Sequence, residues 1–315
     1  MVEARQGQLR RGRASLGAVE ARQDRHSKQS PGRTIMKLGY STWGMPTVEM
    51  DVAVPHLAGL GYDGIEITVI PGYSTELGTL DAEERRRIRG LFERHGVEMP
   101  AIAGHTSLLD PNVRQHAANM KRLKDTVVLA ADLTMNHLVP CLDTTPGGIP
   151  VDWLDVRDRL LNEVGDLVDF GGRHGVVIAM EPHIGCCLCD VERTLWLLDQ
   201  IDSEYLKLNY DISHFDVAGV PTAESVAALA PHTIHTHVKD QRGRAPDFEF
   251  LIPGEGDFDY VEYLDAMNAA GYDDYITVEV SMMVQQREDY DPLDAAALAC
   301  RTLEAAFEAS QANRT

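Results

Sequence analysis

Glu181, Asp211, His237 and Glu279 are the residues of this chain whose types and spacing point to chemistry. Each closes a short apolar run in the second half of the sequence. The run at 208–215, L-N-Y-D-I-S-H-F, is the clearest: it ends on Asp211, and His214 follows three residues later. Taken singly, each residue has an ordinary reading as a helix cap, an ion pair or a packed histidine. Four successive runs ending this way are harder to dismiss. Three carboxylates and one imidazole directed into one volume repel one another unless a cation holds them. Oxygen-rich ligation with a single nitrogen suits Mn²⁺ best, with Mg²⁺, Co²⁺ or Zn²⁺ as other candidates; a structural zinc prefers thiolates.

The elements that must position these groups follow a regular rhythm. Short apolar runs at 37–41, 64–69, 97–103, 133–139, 176–180, 205–210, 233–237 and 275–278 alternate with helical patterns. The helices are expected to end near 60 and to span 81–95, 111–131, 152–174, 190–200, 223–230, 258–270 and 293–309. Alternation of this kind signals βαβ units and a parallel sheet. Eight units predict a (β/α)8 TIM barrel, whose reactive groups sit at the carboxyl ends of the strands. In this reading strands five to eight end on the four residues named above. His137 reads as a packed strand residue. No G-x-G-x-x-G or G-x-x-x-x-G-K-[ST] follows any strand, which argues against a nucleotide cofactor.

Composition narrows the function classes. A hydrophobic share of 44% is ample for a packed core. No run of about 18 apolar residues exists, so no membrane span is expected. The net charge is −20, yet residues 1–35 hold eight lysines and arginines against three acids. The body is therefore more acidic than the whole, which argues against nucleic acid as a partner. Residues 1–35 read as a disordered basic extension, with 36–315 a single catalytic barrel domain. The five cysteines are odd in number and follow no secretory leader, which points to a reduced, cytoplasmic setting. Cys186, Cys187 and Cys189 lack the paired C-x-x-C spacing of a zinc site.

From Met36 to about Ala309 the chain resembles the sugar phosphate isomerase/epimerase family, the xylose isomerase-like TIM barrels. The residues that carry the likeness are Gly61-Tyr62-Asp63-Gly64-Ile65-Glu66, Glu181-Pro182-His183, Asp211-Ile212-Ser213-His214, His235-Thr236-His237-Val238-Lys239-Asp240, Gly254-Glu255-Gly256-Asp257 and Thr277-Val278-Glu279-Val280. The resemblance implies one divalent metal held by Glu181, Asp211, His237 and Glu279. It departs from the ketose 3-epimerases at Cys187, where those carry a second Glu, and this weakens the case for free ketohexose epimerisation.

A divalent ion chelated by a carbonyl and the neighbouring hydroxyl acidifies the C–H between them and holds the resulting enediolate. Two carboxylates can then move a proton between faces or between carbons. Glu181 and Glu279 are the expected acid/base pair, with His183 a candidate second base. His214, His105, Trp43, Glu66, Lys239 and Arg242 are the candidate substrate contacts, and Lys239 and Arg242 would suit a phosphate or a polyol. The expected function is a metal-dependent sugar, sugar phosphate or polyol isomerase/epimerase. A lyase of the same family is the alternative, inosose dehydratase-like or the catalytic subunit of a C-glycoside deglycosidase acting on 3-keto-glycosides. A sugar-binding barrel is the non-enzyme reading. The expected partners are a small carbohydrate and further copies of the chain, with a small second subunit in the deglycosidase case.

Overall fold

A computed structural model of the protein describes residues 35–315. The basic extension expected at 1–35 lies, apart from Ile35, outside the described residues. In chain order the strands are β1 (Ile35–Ser41), β2 (Gly64–Thr68), β3 (Ala101–Ala103), β4 (Cys141–Thr144), β5 (Ile178–Met180), β6 (Leu206–Asp211), β7 (Thr233–Val238), β8 (Asp240–Arg244), β9 (Asp247–Leu251), β10 (Tyr275–Val278) and β11 (Asn313–Arg314). β1 to β7 and β10 lie side by side in parallel, and β10 returns to β1, closing an eight-stranded barrel. Helices follow the strands around the outside, as the alternating pattern predicts. β11 adds a short parallel pairing at the start of β1, with Ile35 opposite Asn313.

Local chemistry sets these elements. The helix Ala82–His95 starts where the Asp81 carboxylate accepts from the Glu83 and Glu84 amides, both at 2.9 Å. Acids fill its first turn and Arg94 and His95 its last, as the helix dipole favours. Its apolar face is Ile88, Leu91 and Phe92, at helical spacing and buried. The strands are buried on both faces, between the barrel interior and the helices, so they read as near-continuous apolar runs. In β2 every residue is buried, including a charged one, Glu66.

Strand four is not where the hydrophobic run placed it. Residues 133–139 form a tight turn in which Met135 and Leu138 exchange two backbone hydrogen bonds, at 3.1 and 2.7 Å. Asn136 and His137 occupy left-handed backbone conformations, and His137 is exposed rather than packed. The run is apolar because Met135 and Leu138 cover the core just ahead of the true strand, Cys141–Thr144. Asp143, in the middle of that strand, broke the apolar pattern and hid it. Strand three is also shorter than expected: its continuous ladder starts at Ala101, after Pro100.

The hairpin of β8 and β9 was not foreseen either. It leaves the end of β7 and is anchored by Asp240, whose buried carboxylate accepts from the amides of Gln241, Gly254, Gly256 and Phe258 at 2.8 to 3.1 Å. Gly256 is required at that anchor, because a Cβ there would stand 2.3 Å from Asp240 Oδ1. The Lys239-Asp240 and Gly254-Glu255-Gly256-Asp257 segments are thus two halves of one structural tie. Replacing Asp240 by Ala strands several buried N–H groups. It is expected to cost about 3 kcal/mol of unfolding free energy, read from urea unfolding; an unshifted midpoint would remove Asp240 from this role.

Candidate metal and active site

β5, β6, β7 and β10 deliver Glu181, Asp211, His237 and Glu279 to one end of the barrel. The register sets Asp211 beside His237 and His237 beside Thr277. Glu181 and Glu279 each follow the last residue of a strand, and their amides extend the ladder by one bond, to Thr144 O at 2.9 Å and Val238 O at 3.0 Å. Their side chains are therefore aimed by sheet backbone rather than by loops. One donor atom from each of the four residues lies within 4.8 Å of the others. His237 Nδ1 stands 3.4 Å from Glu181 Oε1 and 3.6 Å from Glu279 Oε1. All four side chains are buried.

Asp211 satisfies both readings that its position allows. Its Oδ1 accepts from the Ser213 amide at 2.9 Å and caps the short helix Ile212–Val217. Its Oδ2 faces the cluster, ion-paired with Lys239 and 3.4 Å from His214 Nε2. Lys239 ion-pairs with Glu279 as well. Burial opposes its charge, but Asp211 and Glu279 outweigh that cost and raise the Lys239 pKa above its ordinary value. An ammonium held this way is not free to meet a phosphate, as the sequence had suggested.

The residues present fit a divalent cation. Glu66, Asp143, Glu181, Asp211 and Glu279 share this buried volume. Among the described residues, Lys239 is the one lysine or arginine ion-paired with any of them. Asp143 is fully buried, and neither of its carboxylate oxygens has a hydrogen-bond partner. Burial, with Glu181 and Glu66 alongside, pushes its carboxyl well above the usual range. Burial also opposes charge on Glu181, but His237, His105 and Lys239 hold that carboxyl well below its usual range. Oxygen donors with one imidazole make a hard, cation-seeking set.

The other expected site residues divide into those that line the mouth and those that do not. His105 lies with Nε2 3.3 Å from Asp143 Oδ2 and Nδ1 3.8 Å from Glu181 Oε2. Trp43 packs edge-on against His105, with ring centroids 5.0 Å apart. His183 and His214 stand with ring centroids 3.9 Å apart, and Phe250 from the hairpin meets His214 edge-on at 5.3 Å. Burial lowers both imidazole pKa values, and for His214 the neighbouring His183 adds to the effect. Both rings are therefore neutral near pH 7.

Two expected substrate contacts are displaced. Arg242 lies on the exposed hairpin, 3.1 Å from Glu249 and 2.7 Å from the Glu255 carbonyl. The hairpin's own acids and backbone hold it there, outside the cluster. Glu66 lies within the barrel wall and is fully buried. It is within 3.2 Å of His237 Nε2 and 3.1 Å of His235 Nε2, with Ser41 Oγ donating to it at 2.5 Å. No face of its carboxylate remains for a substrate.

Asp143, His235 and Phe250 join the site although they were not singled out from the sequence. Asp143 went with the misplaced strand. The signal for His235 was present, since H-x-H on a strand sends both rings to one face. Phe250 depends on the hairpin, which is a tertiary feature.

A closed barrel with an acid-and-imidazole cluster at the carboxyl ends of its strands defines the class. Residues 54–305 match the xylose isomerase-like TIM barrel family, and the chain belongs to it. It is 25% identical over 254 residues to fructoselysine 3-epimerase of Escherichia coli O157:H7, covering 79% of this chain and 91% of that one. It is also 25% identical over 274 residues to inosose dehydratase of Mesomycoplasma hyopneumoniae, covering 79% of this chain and 86% of that one. Its fold is similar to a zinc-bound structure of the IolI protein, with a TM-score of 0.71 at 18% identity over 87% of this chain and 99% of that one. Fructoselysine 3-epimerase and inosose dehydratase are enzymes, and the donor set of this cluster is one that could hold a divalent ion. No helix among the described residues is long and apolar enough to cross a membrane.

An ion that binds the folded cluster stabilises the fold by mass action, by about 2.7 kcal/mol at a hundredfold excess over its Kd. Chelation is expected to lower the melting temperature, and returning Mn²⁺ or Zn²⁺ to restore it. Superimposable melting curves with and without chelator would argue against a bound ion.

Proposed function

We propose that this barrel is a divalent-metal-dependent isomerase or epimerase of a sugar or polyol ketone, with Mn²⁺ the expected ion. One observation carries the reading. Glu181 and Glu279 approach the same nitrogen of His237 from β5 and β10, which are separated around the barrel by β6 and β7. Two carboxylates that flank one point can serve two faces of a molecule bound there.

When bound, the ion polarises the ketone oxygen and so acidifies the neighbouring C–H. Glu181 then takes the proton from one face, and Glu279 returns a proton to the other. Return to the adjacent carbon gives isomerisation in place of epimerisation. Lys239 stays between Asp211 and Glu279 and fixes the position of both side chains. His183 and His214, both neutral, orient substrate hydroxyls. Trp43 and Phe250 wall the mouth and exclude water, which strengthens every charge interaction within it.

A second reading is elimination of water after the same proton abstraction. Glu181 hands the proton it has taken to the departing hydroxyl instead of to carbon, and the paired His183 and His214 rings favour this by offering N–H groups to that oxygen. The likeness to inosose dehydratase supports the same reading.

The test is a panel of ketoses and inososes incubated with Mn²⁺-loaded protein in D₂O. Deuterium is expected at the carbon beside the carbonyl of the accepted substrate, and an unsaturated product would select elimination. Glu279→Gln is expected to slow formation of the epimer by about 100-fold or more, with bound ion measured in parallel. Full epimer formation in the Gln variant would overturn the assignment of Glu279.

A further inference from the structure

Glu66 was expected to touch substrate, yet the structure buries it on the Nε2 side of His237, away from Glu181 and Glu279. Its place there has a separate purpose. His237 presents two nitrogens to two different sets of groups. Nδ1 faces Glu181 and Glu279, while Nε2 faces Glu66 Oε1 at 3.2 Å and Oε2 at 3.3 Å. A neutral imidazole has one N–H and one lone pair, and which nitrogen holds which is set by the partners. Carboxylates face both nitrogens, Glu66 at 3.2 and 3.3 Å and Glu181 and Glu279 at 3.4 and 3.6 Å; the nearer Glu66 accepts the Nε2 proton, and Nδ1 keeps its lone pair for an ion gathered by the other two. Asn209 agrees with this assignment: its side-chain Nδ2 lies 3.0 Å from Nδ1, as a donor to that lone pair. An ion at Nδ1 takes the place of that contact.

The carboxylate is itself held from three sides. Ser41 Oγ donates to Oε1 from β1, at 2.5 Å. His235 Nε2 stands 3.1 Å from Oε2, two residues before His237 on the same face of β7. Both carboxylate oxygens are thereby occupied, and Glu66, Ser41 and His235 are all fully buried. The group cannot turn away from His237 without stranding a buried polar partner, at a cost typical of an unmade hydrogen bond.

We propose that Glu66, braced by Ser41 and His235, is a positioning residue that holds the proton of His237 on Nε2 and thereby sets the ion affinity of the cluster at Nδ1. Carboxylates placed behind a ligating histidine act this way in metal sites generally, and their loss weakens binding by roughly 10- to 100-fold. The inference rests on the reading that the cluster holds an ion, and is independent of the substrate.

The experiment strips the full chain of metal and titrates it with Co²⁺, by calorimetry and by the visible absorption of the bound ion. Glu66→Gln keeps the shape of the side chain but offers an amide N–H to Nε2, which favours the other tautomer. It is expected to weaken Co²⁺ binding by about 10- to 100-fold and to alter the absorption band, while the metal-free proteins melt alike. Ser41→Ala leaves the charge and removes one brace, and a smaller loss of affinity is expected. Should Glu66→Gln fail to fold, Ser41→Ala carries the test alone. Unchanged Co²⁺ affinity in the folded variants overturns the positioning role. Failure of the unsubstituted protein to bind any divalent ion overturns the cluster reading itself, and the inference with it.

Discussion

Repulsion among carboxylates in a water-poor barrel mouth is the constraint on which the remainder of this site depends. Glu66, Asp143, Glu181, Asp211 and Glu279 are buried together, and charge is poorly screened there. Four of the five have a specific countermeasure. Glu66 is set between two imidazoles and a hydroxyl. Asp211 spends one oxygen on a helix amide and the other on Lys239. Glu279 shares that lysine, and Glu181 leans on His237 and His105. Asp143 alone lacks a hydrogen-bond partner. The barrel can tolerate this density because the groups come from strand ends, where backbone bonds hold them in place. The same groups on free loops would move apart.

Rigidity of this kind also divides the labour. The cluster is carried by sheet backbone, while the side chains that wall the mouth come from other sources. Trp43 follows β1, His105 follows β3, and Phe250 belongs to the hairpin after β7. Glu181 and Glu279 therefore sit at strand ends fixed by backbone hydrogen bonds. The rings that surround it are held by packing against one another, as in the contacts of Trp43 with His105 and of His214 with Phe250.

Much of this arrangement was legible in the amino-acid sequence. Alternation of short apolar runs with helical patterns identified the barrel, and the residue after each later run identified Glu181, Asp211, His237 and Glu279. The reading failed where apolar character and strand position came apart. Residues 133–139 are apolar because they plug the core, and Cys141–Thr144 looks like a loop because Asp143 interrupts it. The reading failed again where the role of a residue depended on what it meets across the barrel. Glu66 and His237 are 171 residues apart in sequence, and no local pattern reveals that one braces the other. Lys239 and Arg242 looked alike, two cations after strand seven. Their difference comes from the hairpin, which turns Arg242 outward while Lys239 stays within the barrel.

The Asp240 tie has a further consequence for how such a barrel diversifies. Its carboxylate gathers the base of the hairpin and the loop at 254–258 into one knot, outside the ion cluster. Beyond the knot, β8 and β9 pair only with each other. The hairpin is held at its tip as well, where the Ala245 amide donates to Val217 O at 2.8 Å and Arg244 ion-pairs with Asp216 at 2.6 Å. None of these ties involves a barrel strand, so the hairpin sequence can vary without changing strand register. Phe250 shows what such variation would alter, since its ring packs against His214 at the mouth. New specificity can therefore arise at the rim while the cluster below it is preserved.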